Sequence, residues 1–182
     1  MYRAGEIASL GALHAVRCAG RLLLVVQVED KEVRLLDETT HRWARLPESD
    51  LIEVCTLSGP AGDELLLIGA DRTRIIPRGA LESLFARQPG PASLRHRRGR
   101  RHRARWPAGT QEHESWLWVR HAALLPGGDT YAVSDGIELA VLGTRDGELR
   151  RTIELPSRCT ALTAAPSGEL IVGTPNGLIL FD

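Results

Sequence analysis

The chemically most distinctive residues are seven arginines within Arg95–Arg105, followed directly by Trp106. Each guanidinium presents a planar fork of donors that suits phosphates and carboxylates, and an indole ring can stack on a base. We predict the following partner-binding residues: Arg95, Arg97, Arg98, Arg100, Arg101, Arg103, Arg105 and Trp106. An acidic protein patch and a nucleic acid are both possible partners, and a solvated loop without a partner is an equally open interpretation.

Other reactive side chains form no metal-binding or catalytic pattern. His113 and His121 lie near Glu112 and Glu114, but neither HxH nor HExxH spacing occurs. The Gly-x-Ser-x-Gly motif of many hydrolases is also missing. We therefore predict a protein without metal, cofactor or catalytic residues. A carboxylate pair formed by residues distant in the sequence stays open as an alternative.

Composition bounds the class of protein. Hydrophobic residues make up 43% of the 182 residues, and 23 basic residues balance 23 acidic ones. A net charge of zero gives no whole-protein field that attracts nucleic acid. The basic residues are almost all arginine, which is typical of a high-GC bacterial genome; Lys31 is the one lysine.

Cysteine usage and hydropathy indicate the compartment. Cys18, Cys55 and Cys159 are an odd number without CxxC spacing, which favours three small buried residues on strands over disulfides or zinc. No apolar run approaches the roughly 18 residues of a membrane span, and the N-terminus lacks a hydrophobic signal core. We expect a cytoplasmic protein without membrane contact.

A repeated unit organises the chain. A small residue, a glycine and a polar residue precede an apolar run at Gly20, Gly62, Gly128 and Gly168. The spacings between successive glycines of this set are 42, 66 and 40. Two of these match the roughly 40–45 residues of a propeller blade. The remaining spacing, 66 residues, is longer by about the length of one segment of foreign composition, Gln88–Glu112.

Each unit continues with a polar turn and a third apolar run. A fourth strand is predicted at Trp43–Leu46, Leu81–Arg87 and Gly147–Leu155. Four short antiparallel strands joined by turns describe a propeller blade. The predicted fold is therefore an all-β propeller of about four four-stranded blades, one of them interrupted by the arginine-rich loop.

The segments Arg120–Leu155 and Cys159–Asp182 resemble the WD-repeat family, with a Pro-x-Gly turn and a closing Phe181-Asp182 pair. The resemblance implies a β-propeller that acts as a protein-interaction scaffold. No Gly-His precedes a first strand and no Trp-Asp closes a third strand. The buried Asp–His–Ser/Thr–Trp network of that family is therefore not transferred to this chain.

We predict one repeat domain over residues 1–182, with blades at 12–47, 50–87, 116–155 and 158–182. Residues 88–112 form a basic insertion, which we expect to be disordered because its like charges repel. An N-terminal strand at Gly5–Ala8 could complete the last blade. A closed four-blade ring and an open or homo-oligomeric ring are both left open.

Trp116 and Trp118 lie two residues apart on a predicted strand start, so both rings face one side. They form either a packed core pair or an exposed patch for a partner. The function that the sequence favours is a non-enzymatic protein–protein interaction scaffold. The alternative is a nucleic-acid-binding accessory protein that acts through the Arg95–Arg105 loop.

Overall fold

Short apolar runs bounded by turns form all but one of the regular elements. The computed structural model describes residues 10–28, 32–48, 50–59, 62–86 and 105–182. These contain strands β1 (Leu10–Cys18), β2 (Arg21–Val28), β3 (Glu32–Asp37), β4 (Arg42–Leu46), β5 (Leu51–Gly59), β6 (Gly62–Gly69), β7 (Arg72–Ile76), helix α1 (Arg78–Ala86), β8 (Gln111–Glu114), β9 (His121–Leu124), β10 (Thr130–Ser134), β11 (Glu138–Gly143), β12 (Leu149–Glu154), β13 (Ala161–Ala164), β14 (Leu170–Thr174) and β15 (Gly177–Phe181).

The strands form four antiparallel sheets, each in simple sequential order. Strands β1–β4 form blade one, β5–β8 blade two, β9–β12 blade three and β13–β15 blade four. Blade four has three strands among the described residues. The predicted all-β propeller of four blades, one of them interrupted, is confirmed.

The repeat glycines mark the turn between the first and second strand of every blade. Gly20, Gly62, Gly128 and Gly168 have φ values of 73°, 109°, 80° and 113°. A residue with a Cβ is disfavoured in this left-handed region, whereas glycine adopts it readily. The repeated sequence unit therefore reflects one backbone requirement, a turn residue with positive φ, that is present in all four blades.

The predicted fourth strand at Leu81–Arg87 is wrong, because helix α1 (Arg78–Ala86) covers that segment. Its buried residues are Ala80, Leu81, Leu84 and Phe85. That spacing of three and four residues places them on one face of a helix and not on alternate faces of a strand. The fourth strand of blade two is β8, which pairs with β7 from the far side of the arginine-rich segment.

Three apolar clusters hold the blades together, one between each pair of neighbours. Cys18 and Leu23 belong to the cluster between blades one and two, Tyr131 and Leu66 to the next, and Leu139 to the third. In the second cluster the buried hydroxyl of Tyr131 donates to Thr73 Oγ1 at 3.1 Å. None of these clusters of described residues joins blade four to blade one, so the described blades form an open arc.

The cysteines are free thiols distributed over the joints between blades. Cys18 is buried at the end of β1, as predicted. Cys55 lies on a strand, β5, but is only half-buried, and Cys159 is buried but lies in the linker before β13. Burial raises the pKa of the Cys18 thiol to about 11 and that of Cys55 to about 12. Thiols protonated at neutral pH are packing residues and poor nucleophiles.

Two expectations fall on undescribed parts of the chain. The proposed N-terminal strand at Gly5–Ala8 lies outside the described residues, as does most of the basic insertion. Within the described ranges, the structure has no helix of the length and apolarity that crossing a membrane requires.

Candidate functional site

One face of the arc is formed by the turns between second and third strands together with the linkers between blades; we name it the loop face. On this face the linker 115–120 is fixed to a turn of blade two. The N–H of Ser115 donates to the carbonyl of Asp71, and the N–H of Val119 donates to that of Ala70, both at 2.8 Å. The two hydrogen bonds hold both ends of the three intervening residues.

The fixed linker presents two tryptophans. Leu117 packs against the apolar cluster between blades two and three. Its neighbours Trp116 and Trp118 are 61% and 64% exposed. They precede β9 and do not start a strand as predicted. Of the two interpretations from the sequence, a packed core pair is therefore wrong, and the rings form an exposed aromatic pair.

The next linker repeats the same arrangement with a different side chain. The N–H of Leu155 donates to the carbonyl of Ile137 at 3.0 Å, and the N–H of Cys159 donates to that of Gly136 at 2.7 Å. In each linker the two anchored residues are four apart. Arg158 therefore occupies the position in this linker that Trp118 occupies in the preceding one.

Two arginines meet on the loop face at Gly136. A Cβ placed on Gly136 would lie 3.8 Å from Arg158 Cγ and 4.0 Å from Arg120 Cδ, so both side chains lie against this glycine. The arginines also face His121. Burial lowers the pKa of His121, and the positive charges of Arg120 and Arg158 lower it further, which outweighs a hydrogen bond with the Cys159 backbone that raises it.

Asp135 completes the charged part of the loop face. Partial burial would by itself raise the pKa of this carboxyl group. The backbone N–H groups of Glu138 and Ile137 donate to it at 3.0 and 2.9 Å, and with Arg120 they bring the pKa below its usual value. Asp135 is therefore ionised and tied to its own turn, and Arg120 and Arg158 are both exposed.

A cavity of about 520 Å³ opens beside these residues. Its lining combines an indole, two guanidinium groups, an imidazole, a carboxylate, an amide and apolar residues: Gln27, Asp50, Leu51, Ile52, Ala70, Trp118, Val119, Arg120, His121 and Arg158. Trp118 lines the cavity and Trp116 does not. The arrangement suits an extended ligand with one apolar group and a carboxylate.

The opposite face carries a cavity of similar size and different chemistry. About 570 Å³ is lined by Thr56, Ser58, Leu124, Leu125, Pro126, Gly127, Gly128, Ala164, Ala165 and Pro166. None of these residues is charged or aromatic. This cavity therefore offers a ligand neither a charged group nor an aromatic ring.

The arginine-rich segment lies apart from this site as far as the structure describes it. Arg105 is exposed, and Arg95–Arg103 lie outside the described residues. Trp106 packs against the cluster between blades one and two, with the Arg74 guanidinium 4.6 Å from its ring centroid. Arg74 occupies one face of the Trp106 ring, so that face is not free to stack on a base.

Arg120, Arg158 and His121 were not predicted from the sequence as one group. The two arginines are separated in sequence by close to one repeat, much as Gly128 is separated from Gly168. An alignment of the last two repeats would have shown both at blade linkers. Within the described ranges, no group of three His, Cys, Asp or Glu residues could hold a metal ion.

No protein-family model matches the chain, and no curated protein matches its sequence. Solved β-propeller structures are similar to it. The WD40 domain of Neurospora crassa Pan2 superposes with a TM-score of 0.58 at 12% identity, covering 95% of this chain and 46% of that chain. The Cps50 (Swd1) β-propeller domain of Myceliophteria thermophila gives 0.57 at 17% identity, with coverages of 91% and 51%.

A third similar structure is BBS1N in complex with ARL6DN, with a TM-score of 0.58, 14% identity and coverages of 94% and 51%. The chain thus spans about half the length of the solved chains it matches. Likeness at these identities shows the fold and not the activity. The four blades are similar to an arc that makes up about half of each of these propeller chains.

Proposed function

We propose that the chain is a non-enzymatic interaction module that binds a segment of another protein at the loop face. The observation that carries the proposal is the position of Trp118 beside Arg120 and Arg158, at the edge of a 520 Å³ cavity. Tryptophan and arginine are the residue types that dominate binding energy at protein interfaces. The expected ligand is an extended peptide with an apolar side chain next to a carboxylate.

Rigidity supports the proposal. Linkers 115–120 and 155–159 are each anchored by two backbone hydrogen bonds to a neighbouring turn, so the backbone of the contact residues needs little ordering when a partner binds. The free thiols are protonated packing residues, and the described groups that shift the pKa of His121 include no carboxylate that would orient it as a catalytic base. One similar solved structure is itself a complex between two proteins.

The test uses fluorescence polarisation with short fluorescein-labelled peptides that alternate Asp or Glu with Leu or Phe. Control peptides carry Asn and Gln in place of the acidic residues. We expect the purified chain to bind the acidic peptides and to bind the controls at least about tenfold more weakly, since each lost charge-assisted hydrogen bond costs about 1.5–3 kcal/mol.

Two matched variants locate the site. Trp118→Ala should weaken binding by about tenfold or more, as expected for a central aromatic contact. Trp116→Ala is the control, because its ring is equally exposed and lies outside the cavity. Equal losses in both variants, or no loss in either, would refute the proposed site.

Salt separates a protein ligand from a nucleic acid. The same assay with labelled single-stranded oligonucleotides, titrated with NaCl, measures phosphate contacts through the slope of log K against log salt. We expect weak oligonucleotide binding that is unchanged in Arg120→Gln. Tight, strongly salt-dependent oligonucleotide binding without peptide binding would overturn the proposal.

A further inference from the structure

Three joints hold the four blades together, and all three have the same polarity. We name the sheet face toward the following blade the leading face and the opposite one the trailing face. At the last joint, Ala132 and Leu139 on the leading face of blade three pack with Leu170 and Val172 on the trailing face of blade four. The other two joints follow the same order. The blades are therefore joined head to tail.

The leading face of blade four is apolar and exposed. Strand alternation places Ile171, Leu178 and Leu180 on this face, and the register pairs Ile171 with Leu180. Leu178 is 75% exposed and Leu180 67%, whereas Ile179 and Phe181 pack against blade three. A well-formed sheet thus presents large aliphatic side chains to solvent.

The trailing face of blade one is its counterpart. Leu13 on β1 is 59% exposed. Next to it, the strand register places Ala15, Leu24, Leu36 and Trp43 in one row across all four strands. These residues lie on the side of the sheet away from the cluster shared with blade two. None of the clusters of described residues covers this second apolar sheet face, in which Leu24, Leu36 and Trp43 are half-buried.

The trailing face of blade one and the segment that contains blade four have opposite formal charge. The trailing face of blade one carries three arginines and one glutamate, a formal charge of 3 − 1 = +2: Arg17, Arg34, Arg45 and Glu32. Residues 159–182, which contain blade four, carry Glu169 and Asp182 and no basic residue, a formal charge of −2. The leading face of blade four thus suits the trailing face of blade one in polarity, apolar character and charge.

We infer that the leading face of blade four packs on the trailing face of blade one of a second copy, so that two chains form one eight-bladed ring. Such a joint repeats the head-to-tail relation already present three times within the chain. Heterologous contacts of this kind close into rings when the rotation fits. Each arc is similar to about half of a solved propeller chain, and eight blades lie within the usual range of four to eight.

Sedimentation equilibrium of the full chain tests the inference. The wild type should have twice the 19.9 kDa mass of the chain. A double variant, Leu178→Glu and Leu180→Glu, places charge on the leading face of blade four and should raise the dimer dissociation constant by at least about 100-fold. Both side chains are exposed in the single chain, so an unchanged circular dichroism spectrum should accompany the loss.

Ile137→Glu is the matched control. Ile137 is 68% exposed and lies on the loop-face turn of blade three, away from both terminal faces. This variant should remain dimeric. Equal dissociation in the control and in the double variant would mean that general surface hydrophobicity drives association, and would overturn the inference.

A mixing experiment tests the polarity of the joint. Leu13→Glu alters the trailing face of blade one and should also give monomers by itself. Mixed one to one, the Leu13→Glu chain and the double variant can form one joint in which both faces are wild type. The mixture should therefore dimerise measurably more tightly than either variant alone. Failure to do so would contradict a head-to-tail joint.

Two further results would overturn the inference. One is a wild-type chain that stays monomeric at the highest concentration at which it is soluble. The other is a mass that keeps growing with concentration, because the joints would then form an open fibre and not a closed ring of two.

Discussion

Leu139 in blade three and Leu178 in blade four stand at the same position of the third strand, on the leading face of their sheets. Leu139 pairs with Ser134 of β10, and Leu178 pairs with Gly173 of β14. Leu139 is 0% exposed, whereas Leu178 is 75% exposed. Both residues belong to short antiparallel strands with the same register.

The difference comes from the neighbouring sheet. Blade four covers the leading face of blade three with Leu170 and Val172, and none of the described residues covers the leading face of blade four in the same way. Residue type and strand alternation therefore determine that a face is apolar. The position of a blade in the arc determines whether that face is a core or a surface.

The largest expected effect is on the free energy of unfolding, and it compares Leu139 with Leu178 directly. Leu139→Ala should lower the free energy of unfolding by about 2–5 kcal/mol, because it leaves a cavity in a packed joint. Leu178→Ala should change it by less than about 0.5 kcal/mol at dilute protein concentration, where the single chain dominates. Urea unfolding followed by circular dichroism measures both.

The difference in stability cost between the two variants should also depend on protein concentration. If a second copy covers blade four, the cost of Leu178→Ala should grow as protein concentration rises, whereas that of Leu139→Ala should not. Similar costs for the two variants at every concentration would show that the two faces are equally buried, and the contrast between the blades would fail.

An intermediate effect is expected at the joint between blades two and three. Tyr131→Phe removes the hydrogen bond that the buried phenol donates to Thr73 and should lower the free energy of unfolding by about 0.5–1.5 kcal/mol. Replacing Thr73 by Val as well closes a double-mutant cycle. A coupling energy near zero would mean that the hydroxyl pair does not stabilise the joint.

A further effect, absent at neutral pH, is expected in alkaline solution, through the thiols at the joints. Burial raises the pKa of Cys18 from 9.0 to about 11 and that of Cys55 to about 12. Above pH 9.0 the unfolded chain loses thiol protons that the folded chain retains. The free energy of unfolding should therefore decrease as pH rises from 9.0 through 11, by at most about 1.4 kcal/mol per pH unit for each thiol.

The control for this pH dependence is a variant with Cys18→Ala and Cys55→Ala. Its unfolding free energy should vary less with pH over the same interval, measured by urea unfolding in a series of alkaline buffers. An identical decline in the variant and the wild type would assign the effect to other groups, including the buried phenol of Tyr131, whose pKa burial also raises.

The sequence was sufficient for the features that depend on local spacing. The glycines of the repeat gave the turns of all four blades, because a positive φ is a local requirement that glycine meets without strain. The alternation of apolar residues predicted most of the strands. The same local logic failed at Leu81–Arg87, where the spacing of the apolar residues is helical and the true fourth strand, β8, follows the arginine-rich segment.

Only the tertiary structure decided which residues meet. Trp116 and Trp118 are exposed in the folded chain, because Leu117 between them packs against the apolar cluster. The fold also brings Arg120 and Arg158 together. Both side chains lie against the turn at Gly136, although nearly a whole repeat separates them in sequence. Alternation along a strand shows which residues share a face of a sheet. What covers that face depends on contacts between distant parts of the chain, which spacing alone does not contain.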